Sequence, residues 1–395
     1  MTNFASSLSG GLLLVSLVGL GCGSGDARSP AGGSAAALSA EPRAAYEELF
    51  SDHAGEDRPL ALPTARVYQD DRLQEAIDLA VHGDLVAVLC GAAPGRLCLV
   101  DAEAGTITTP EPAPDVERTL FDPISIEPAD GEPASFWAYD QITSSLVRVG
   151  PGSGGASPAF LSFDFPVRQA VVLDHAVAAN GPFPQEHLRY LSLATDSDSL
   201  PLRVTSAAGR ALFSGKPPEV SIHLNRNSLA ADPERGLLVL AFLYVSRLHV
   251  YGPDGRPALA IAGPEEVELS YDLVPDPREG ILRLLANDRT RLAYLDVAAT
   301  GRAIFALFSG RDRQSHGTAA KYGNQIHVFS WQGRHLATAH TEDDLFRIAV
   351  GAGGGALYGI RHLPSEAIVE LNTEAIEELL EATGRPPERR RELAR

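Results

Sequence analysis

The sequence is poor in lysine, in cysteine and in net positive charge. Lysine occurs only as Lys216 and Lys321, and 51 acidic residues against 33 basic ones give a formal net charge of -18. A body this acidic repels nucleic acid and anionic bilayer surfaces at long range. Nucleic acid is therefore not expected as a partner.

The sequence also lacks an apolar run long enough to span a membrane as a mature helix. The longest one near the start, Leu12 to Leu20, lies within 21 uncharged residues, which is typical of an export signal. It ends in Gly19-Leu-Gly-Cys22-Gly23, which resembles a lipobox, although leucine is usual at the place of Gly19. We therefore predict a lipoprotein-type signal peptide over residues 1–21 and lipidation at Cys22. An ordinary cleaved signal and a buried structural cysteine are the alternatives.

The segment after Cys22 has neither aromatic residues nor an apolar period. Residues 22–42 are rich in Gly, Ser and Ala, which is typical of a flexible tether. Lipid chains on Cys22 would make the membrane a partner, and Gly23 favours the outer membrane of the cell envelope. Residues 43–395 are expected to form one domain, with a C-terminal helix and a basic tail.

Only three cysteines are present, and two remain if Cys22 carries lipid. Cys90 and Cys98 flank a turn-rich loop between apolar runs, and export would place them in an oxidising compartment. A disulfide between them, or two packed thiols, is expected. A metal site at the two cysteines is not expected, because no third ligand lies nearby in the sequence.

Six segments share an apolar alternation followed by a turn. They are Arg96–Gly105, Ser145–Gly154, Pro201–Gly209, Arg247–Gly255, Gln325–Gly333 and Ala367–Ala375. Alternation of period two indicates strands with two unlike faces, and a spacing near that of one propeller blade suggests that each is the third strand of a four-stranded unit. Such units must stack around an axis to cover both of their faces.

The predicted fold is therefore an all-β, six-bladed β-propeller with short flanking helices, near residues 44–50 and 373–382. One spacing is longer than the others because of a surplus segment, Val267–Asp288, which is either an insertion or part of a seventh blade. Arg311–Tyr322 forms a long polar loop where binding determinants could lie.

The last 170 or so residues resemble a known family. Tyr322–Gly333 (YGNQIHVFSWQG), followed by Phe346–Val350 and Ala356–Ile360, is similar to the closing part of TolB-like six-bladed β-propellers, a group common among bacterial envelope lipoproteins. The resemblance implies the fold, the export signal and the lipid anchor. It implies no activity, because the family has no shared catalytic motif to place on these residues.

A site at the mouth of the propeller channel would draw on polar residues of the innermost strands. These candidates are Asp78, Arg168, Asn227, Asp296 and Arg347. Two aspartates and an asparagine could hold a divalent ion, as in metal-dependent propeller lactonases, whereas the two arginines favour an anionic ligand.

Two histidines, His249 and His327, occupy the same place in their repeats. Other repeats hold Cys98, Val147, Arg203 and Val369 there, so we predict a partly exposed blade face and no shared metal.

No catalytic, metal or cofactor residue is assigned from the sequence. The function expected is a non-enzymatic binding or scaffolding propeller in the cell envelope, for a protein or small molecule that the sequence does not identify. The alternative is a hydrolase or lyase, lactonase-like and metal-dependent, acting at the channel mouth. A third class is a subunit that supports a larger envelope complex.

Overall fold

The computed structural model describes residues 59–91, 96–110, 120, 122–129, 135–150, 160–173, 176–192, 203–210, 212–213, 215–232, 235–253, 255–276, 281–351 and 355–384. The predicted signal peptide, Cys22, the tether, the first flanking helix and the basic tail lie outside these ranges. Within them, no helix has the length and apolarity needed to cross a membrane.

The described strands follow the chain in groups of four. Two N-terminal strands, β1 (Pro59–Leu62) and β2 (Thr64–Tyr68), come first. The first sheet contains β3 (Ala76–His82), β4 (Leu85–Cys90), β5 (Arg96–Asp101) and β6 (Thr106–Thr108). The second contains β7 (Pro123–Pro128), β8 (Phe136–Asp140), β9 (Ser145–Val149) and β10 (Phe160–Ser162). The third contains β11 (Gln169–Leu173), β12 (Ala176–Asn180), β13 (Glu186–Ser192) and β14 (Arg203–Arg210).

Helix α1 (Pro218–Leu224) separates the third sheet from the fourth. The fourth sheet contains β15 (Asn227–Asp232), β16 (Leu237–Phe242), β17 (Arg247–Tyr251) and β18 (Pro257–Ala262). A separate two-stranded sheet follows, made of β19 (Asp272–Asp276) and β20 (Ile281–Leu285). Its second strand lies against α1. The surplus segment Val267–Asp288 thus forms a hairpin outside the four-stranded sheets.

The remaining strands belong to one sheet of eight. They are β21 (Tyr294–Ala299), β22 (Ile304–Phe308), β23 (Gly323–Phe329), β24 (His335–Val350), β25 (Leu357–Arg361) and β26 (Ala367–Leu371), together with β1 and β2. The polar loop after β22 contains the short helix α2 (Arg313–His316) and a 3-10 turn over Gly317–Lys321. Helix α3 (Glu374–Gly384) follows β26.

The long strand β24 divides this sheet. Residues 335–340 pair with β23, whereas residues 345–350 pair with β25, and the register shifts after residue 345. The N-terminal strand β2 pairs with β26 at the outer edge, and β1 runs parallel to β24 along residues 338–341. The start of the described chain is therefore hydrogen-bonded to its end.

The sheets surround a common axis. Their first strands contact one another in cyclic order, from β3 through β7, β11, β15 and β21 to β24 and back to β3. Apolar clusters fill the spaces between neighbouring sheets, so the second strands are buried on both faces and read as continuous apolar runs, such as LVAVLC and IFALF. This arrangement is a β-propeller.

One of the six segments predicted as third strands has a different place. Arg203–Arg210 is β14, the fourth strand of its sheet, and the third strand is β13. Alternation marks any strand with one buried face, so the pattern alone does not give the position of a strand in its sheet. Of the other five segments, β5, β9 and β17 are third in four-stranded sheets, β23 is third from the β21 edge of the eight-stranded sheet, and β26 lies next to β2 at its other edge.

The N-terminal strands contribute core as well as hydrogen bonds. Leu62 is fully buried in a cluster with Ile376 and Leu380 of α3, whereas Val67 of β2 is 47% exposed. Apolar contacts between the two ends of the described chain therefore help to stabilise the closed ring.

We expect Leu62→Ala to lower the free energy of unfolding by about 2–5 kcal/mol, because it leaves a cavity in this cluster. Val67→Ala, a matched change on the neighbouring strand, should cost less than about 1 kcal/mol. Urea unfolding of both variants measures the difference. If both variants lower the free energy of unfolding by the same small amount, the N-terminal segment does not stabilise the closed ring.

Candidate functional site

A cavity of about 490 Å³ lies on the axis. It is lined by residues of all six strands in this cyclic contact, from Gln169 at the start of β11 to Asp232 at the end of β15, and we call it the lower cavity. Aliphatic residues make up most of its wall. Four acidic residues interrupt it, namely Asp78, Glu127, Asp232 and Asp296, of which Asp232 is paired with Arg235 at 3.5 Å.

Two of these carboxylates are hydrogen-bonded to a neighbouring sheet. Asp78 Oδ2 accepts a bond of 3.0 Å from the backbone N–H of Ile126, and Asp296 Oδ2 accepts one of 2.9 Å from that of Ile348. Each aspartate stands directly after a register shift in its strand. Both aspartates therefore join the first strand of one sheet to the first strand of the next.

Arg347 lies between these two aspartates. Its guanidinium donates a bond of 2.9 Å to the carbonyl of Leu295 and approaches Asp78 Oδ1 to 3.9 Å. Its Cζ also stands 4.7 Å from the ring centre of Phe346. The structure thus brings together three of the five predicted residues, Asp78 of the first sheet and Asp296 and Arg347 of the eight-stranded sheet.

Burial dominates the ionisation of this group. It raises the pKa of Asp78 to about 7, and Arg347 opposes that rise without cancelling it. The pKa of Asp296 is raised for the same reason, and burial with the charges of Asp78 and Asp296 holds the pKa of Glu127 well above its ordinary value. Carboxyl groups with raised pKa values can donate protons near neutral pH.

Glu127 was not among the sequence candidates. It lies near the end of β7, in a part of the chain where the repeat pattern gave no first strand. The period of the strand offers a weak indication, because polar Ser125 and Glu127 stand two residues apart. No hydrogen bond of the Glu127 side chain occurs within the described residues.

The other two predicted residues, Arg168 and Asn227, lie where the first strands β11 and β15 begin, and Arg168 directly precedes Gln169 of the cavity wall. We call this region the upper mouth. Asn180 Nδ2 donates to Asn227 Oδ1 over 2.8 Å, and the backbone N–H of Arg168 donates to the carbonyl of Asn180 over 2.9 Å. Asn227 does not line the lower cavity. The three oxygen ligands considered for a divalent ion are therefore not brought together, and the described residues contain no cluster of three His, Cys, Asp or Glu able to hold a metal.

Cys90 and Cys98 are both buried, with 3.8 Å between their sulfur atoms. Cys98 lies opposite Val88 and Cys90 opposite Arg96, so the two are diagonal neighbours. The two are not joined by a disulfide in this structure, and the hydrogen bond with Cys90 is the main cause that lowers the pKa of Cys98 to about 7. The structure has two packed thiols, and a disulfide stays a prediction.

The prediction of an exposed face for His249 and His327 was wrong. His327 is fully buried and stacks on Phe308 at 4.6 Å, while His249 lies against His187 and Phe242. Burial lowers the pKa of each of the two repeat histidines to about 3, so both are neutral. The alternating face that carries them points into the space between two sheets, which only the stacking of the sheets makes apparent.

Comparisons with known proteins assign neither a family nor a function to this chain. No family model and no curated protein matches this chain. Similar solved structures include the Cps50 (Swd1) β-propeller domain of Myceliophteria thermophila, with a TM-score of 0.45, 10% identity and coverage of 79% of this chain and 99% of that one. U3-55K and the RRP9 WD40 repeats each have a TM-score of 0.43, 10% and 11% identity, and coverage of 75% of this chain and 80% of theirs. None of these comparisons supports the TolB-like family specifically.

The raised pKa of Asp78 predicts a pH dependence of stability. Between about pH 4 and 7 the folded chain keeps a proton that the unfolded chain releases, so the free energy of unfolding falls as the pH rises through this range. At roughly 1.4 kcal/mol for each unit, the fall is on the order of 4 kcal/mol at most. Asp78→Asn should lessen this fall without abolishing it, because Asp296 and Glu127 also have raised pKa values, and denaturant unfolding at several pH values measures the change.

The matched control is Asp84→Asn, which removes an exposed carboxylate at a turn of the same sheet. Its stability profile should run parallel to that of the wild type. A parallel profile for Asp78→Asn as well would contradict the role of Asp78 in this pH dependence.

Proposed function

We propose that this chain is a lipid-anchored β-propeller of the bacterial cell envelope that acts as a non-enzymatic binding or scaffolding protein. The observation that carries the proposal is the use of the charged groups at the axis. Asp78, Asp296 and Arg347 are each hydrogen-bonded to the backbone of a neighbouring first strand. These groups are occupied in joining sheets, which suits a rigid binding platform better than a reaction centre.

Six blades are part of this proposal. The bend in β24 would make its first half the fourth strand of a fifth blade and its second half the first strand of a sixth, closed by β2. Six first strands in cyclic contact support that count. Six blades also agree with the resemblance of the C-terminal half to TolB-like propellers. An experimental structure with a seventh first strand, from segments outside the described ranges, would contradict it.

The lipid anchor and outer-membrane location rest on the sequence around Cys22. We expect the wild-type chain, expressed in a bacterium, to incorporate an alkyne-tagged fatty acid and to sediment with outer membranes. Cys22→Ala should abolish both, because the acylated atom is the cysteine sulfur. Ser24→Ala, two residues away, is the control and should leave both unchanged. Labelling of Cys22→Ala at the wild-type level would overturn the anchor.

A hydrolase or lyase is the second candidate, and Glu127 is the observation that favours it. A carboxyl group with a strongly raised pKa, lining a cavity without a hydrogen bond in the described part of the chain, has the properties of a general acid. Such a group contributes a factor of about 100 to 10,000 in rate. The metal-dependent form of this candidate has no ligand set among the described residues.

Turnover separates the two candidates. We expect the purified protein to hydrolyse a panel of sugar lactones and glycans no faster than buffer does, and Glu127→Gln to behave identically. Turnover by the wild type that falls more than tenfold in Glu127→Gln, but not in the surface variant Glu342→Gln, would replace the binding proposal by the enzyme.

A further inference from the structure

Three basic side chains lie together at the upper mouth. Arg168 directly precedes β11, His223 stands in the last turn of α1, and Arg226 directly precedes β15. Arg168 is half-buried, whereas His223 and Arg226 are exposed. We call these residues the upper basic cluster. Asn180 joins the two strand starts, because its carbonyl accepts the backbone N–H of Arg168 over 2.9 Å and its side chain donates to Asn227, next to Arg226, over 2.8 Å. In agreement with this proximity, both arginines lower the pKa of His223 in addition to the effect of burial.

No acidic group of the described residues balances this cluster. Burial first, and then the charge of Arg226, lowers the pKa of Arg168 to about 10, and the one group with the opposite effect is the phenol of Tyr244. Neither guanidinium has a hydrogen-bond or ion-pair partner within the described residues. Other arginines with little exposure are paired with carboxylates, namely Arg189 with Glu186, Arg311 with Asp344, and Arg361 with Asp343.

A partly buried guanidinium without an acceptor is unfavourable, because its five N–H donors lose water and gain nothing in return. The exposed guanidinium of Arg226 adds repulsion between like charges. The arrangement is moreover unusual on a chain with a net charge of -18, whose surface repels anions elsewhere. An oxyanion between the two guanidinium groups would remove both costs, since charge-assisted hydrogen bonds to carboxylate or phosphate are among the strongest in proteins.

The surroundings hold this cluster in place. The backbone N–H of Arg168 is bonded to Asn180, and the side chain of Asn180 is bonded in turn to Asn227, next to Arg226. Asn227 itself donates to the carbonyl of Asn225 over 2.7 Å. These contacts fix the backbone on both sides of the mouth, so the two arginines approach from fixed positions.

We propose that Arg168 and Arg226 bind the oxyanion group, carboxylate or phosphate, of a small ligand at the upper mouth. The inference deepens the binding role proposed above by giving the ligand a chemical class, and it rests on that role. Tyr244 would add a neutral donor beside Arg168.

Calorimetric titration of the purified chain with inorganic phosphate and, separately, with acetate tests the site at low salt. The anion that binds more tightly identifies the class. Arg168→Gln and Arg226→Gln should each weaken binding at least tenfold, because a hydrogen bond to a charged group is worth about 1.5–3 kcal/mol and 1.4 kcal/mol is a factor of ten. Arg334→Gln, which removes an exposed arginine at the β23–β24 turn, should change the affinity less than twofold.

Two further measurements distinguish a binding role from a structural one. Without anion, Arg168→Gln should unfold at the same temperature as the wild type or at a higher one, because it removes an unpaired charge. Phosphate should raise the pKa of His223, followed by NMR, in the wild type but not in the Arg168→Gln, Arg226→Gln double variant.

The proposal is overturned if neither anion binds, if the variants bind as the wild type does, or if Arg168→Gln destabilises the fold. These outcomes leave the binding role itself standing. That role fails separately, through turnover in the lactone and glycan assays.

Discussion

The structure depends on how the first strand of each sheet satisfies its free edge. One edge of such a strand pairs with the second strand, while the other faces the neighbouring sheet at the axis, where unpaired backbone groups would be costly. Side chains from the preceding sheet fill this need. Asp78, Gln169 and Asp296 each accept a backbone N–H from the first strand of the next sheet. The ring is therefore held at its centre by polar bonds as well as by the apolar clusters between sheets.

This use of polar groups determines the ionisation of the lower cavity. Three carboxyl groups share one nearby guanidinium, that of Arg347, so they cannot all be charged at low cost. The excess of carboxyl groups over guanidinium groups is enough to explain the raised pKa values, and no catalytic role is needed to account for them. A protonated carboxyl still accepts an N–H through its carbonyl oxygen, so the bonds between the sheets survive protonation. Perturbed pKa values in a cleft are therefore weaker support for catalysis here than they are where the carboxyl groups are free.

Strands with a local sequence pattern could be predicted from the sequence. Strand pairings between segments far apart in the chain could not. Third strands such as β5 and β17 were predictable, because alternation and a turn glycine lie within ten residues. The pairing of β2 could not be predicted. Nothing in its five residues indicates that the partner strand is β26, some 300 residues later. Likewise, Asp78 and Arg168 both stand near the start of a first strand. Asp78 lines the lower cavity whereas Arg168 does not, although the next residue, Gln169, does, and the sequence pattern does not resolve a difference of one residue.

That difference matters for recognition, because the lower cavity and the upper mouth differ in their charged groups. The lower cavity holds carboxyl groups with raised pKa values, whereas the upper mouth holds Arg168 and Arg226 without a described acidic partner. None of the carboxyl groups is among the groups that shift the pKa of Arg168. For an anion approaching this acidic chain, the two arginines are a local attraction within a surface of net negative charge. The site proposed there therefore depends on the local arrangement of charge and not on the net charge of the chain.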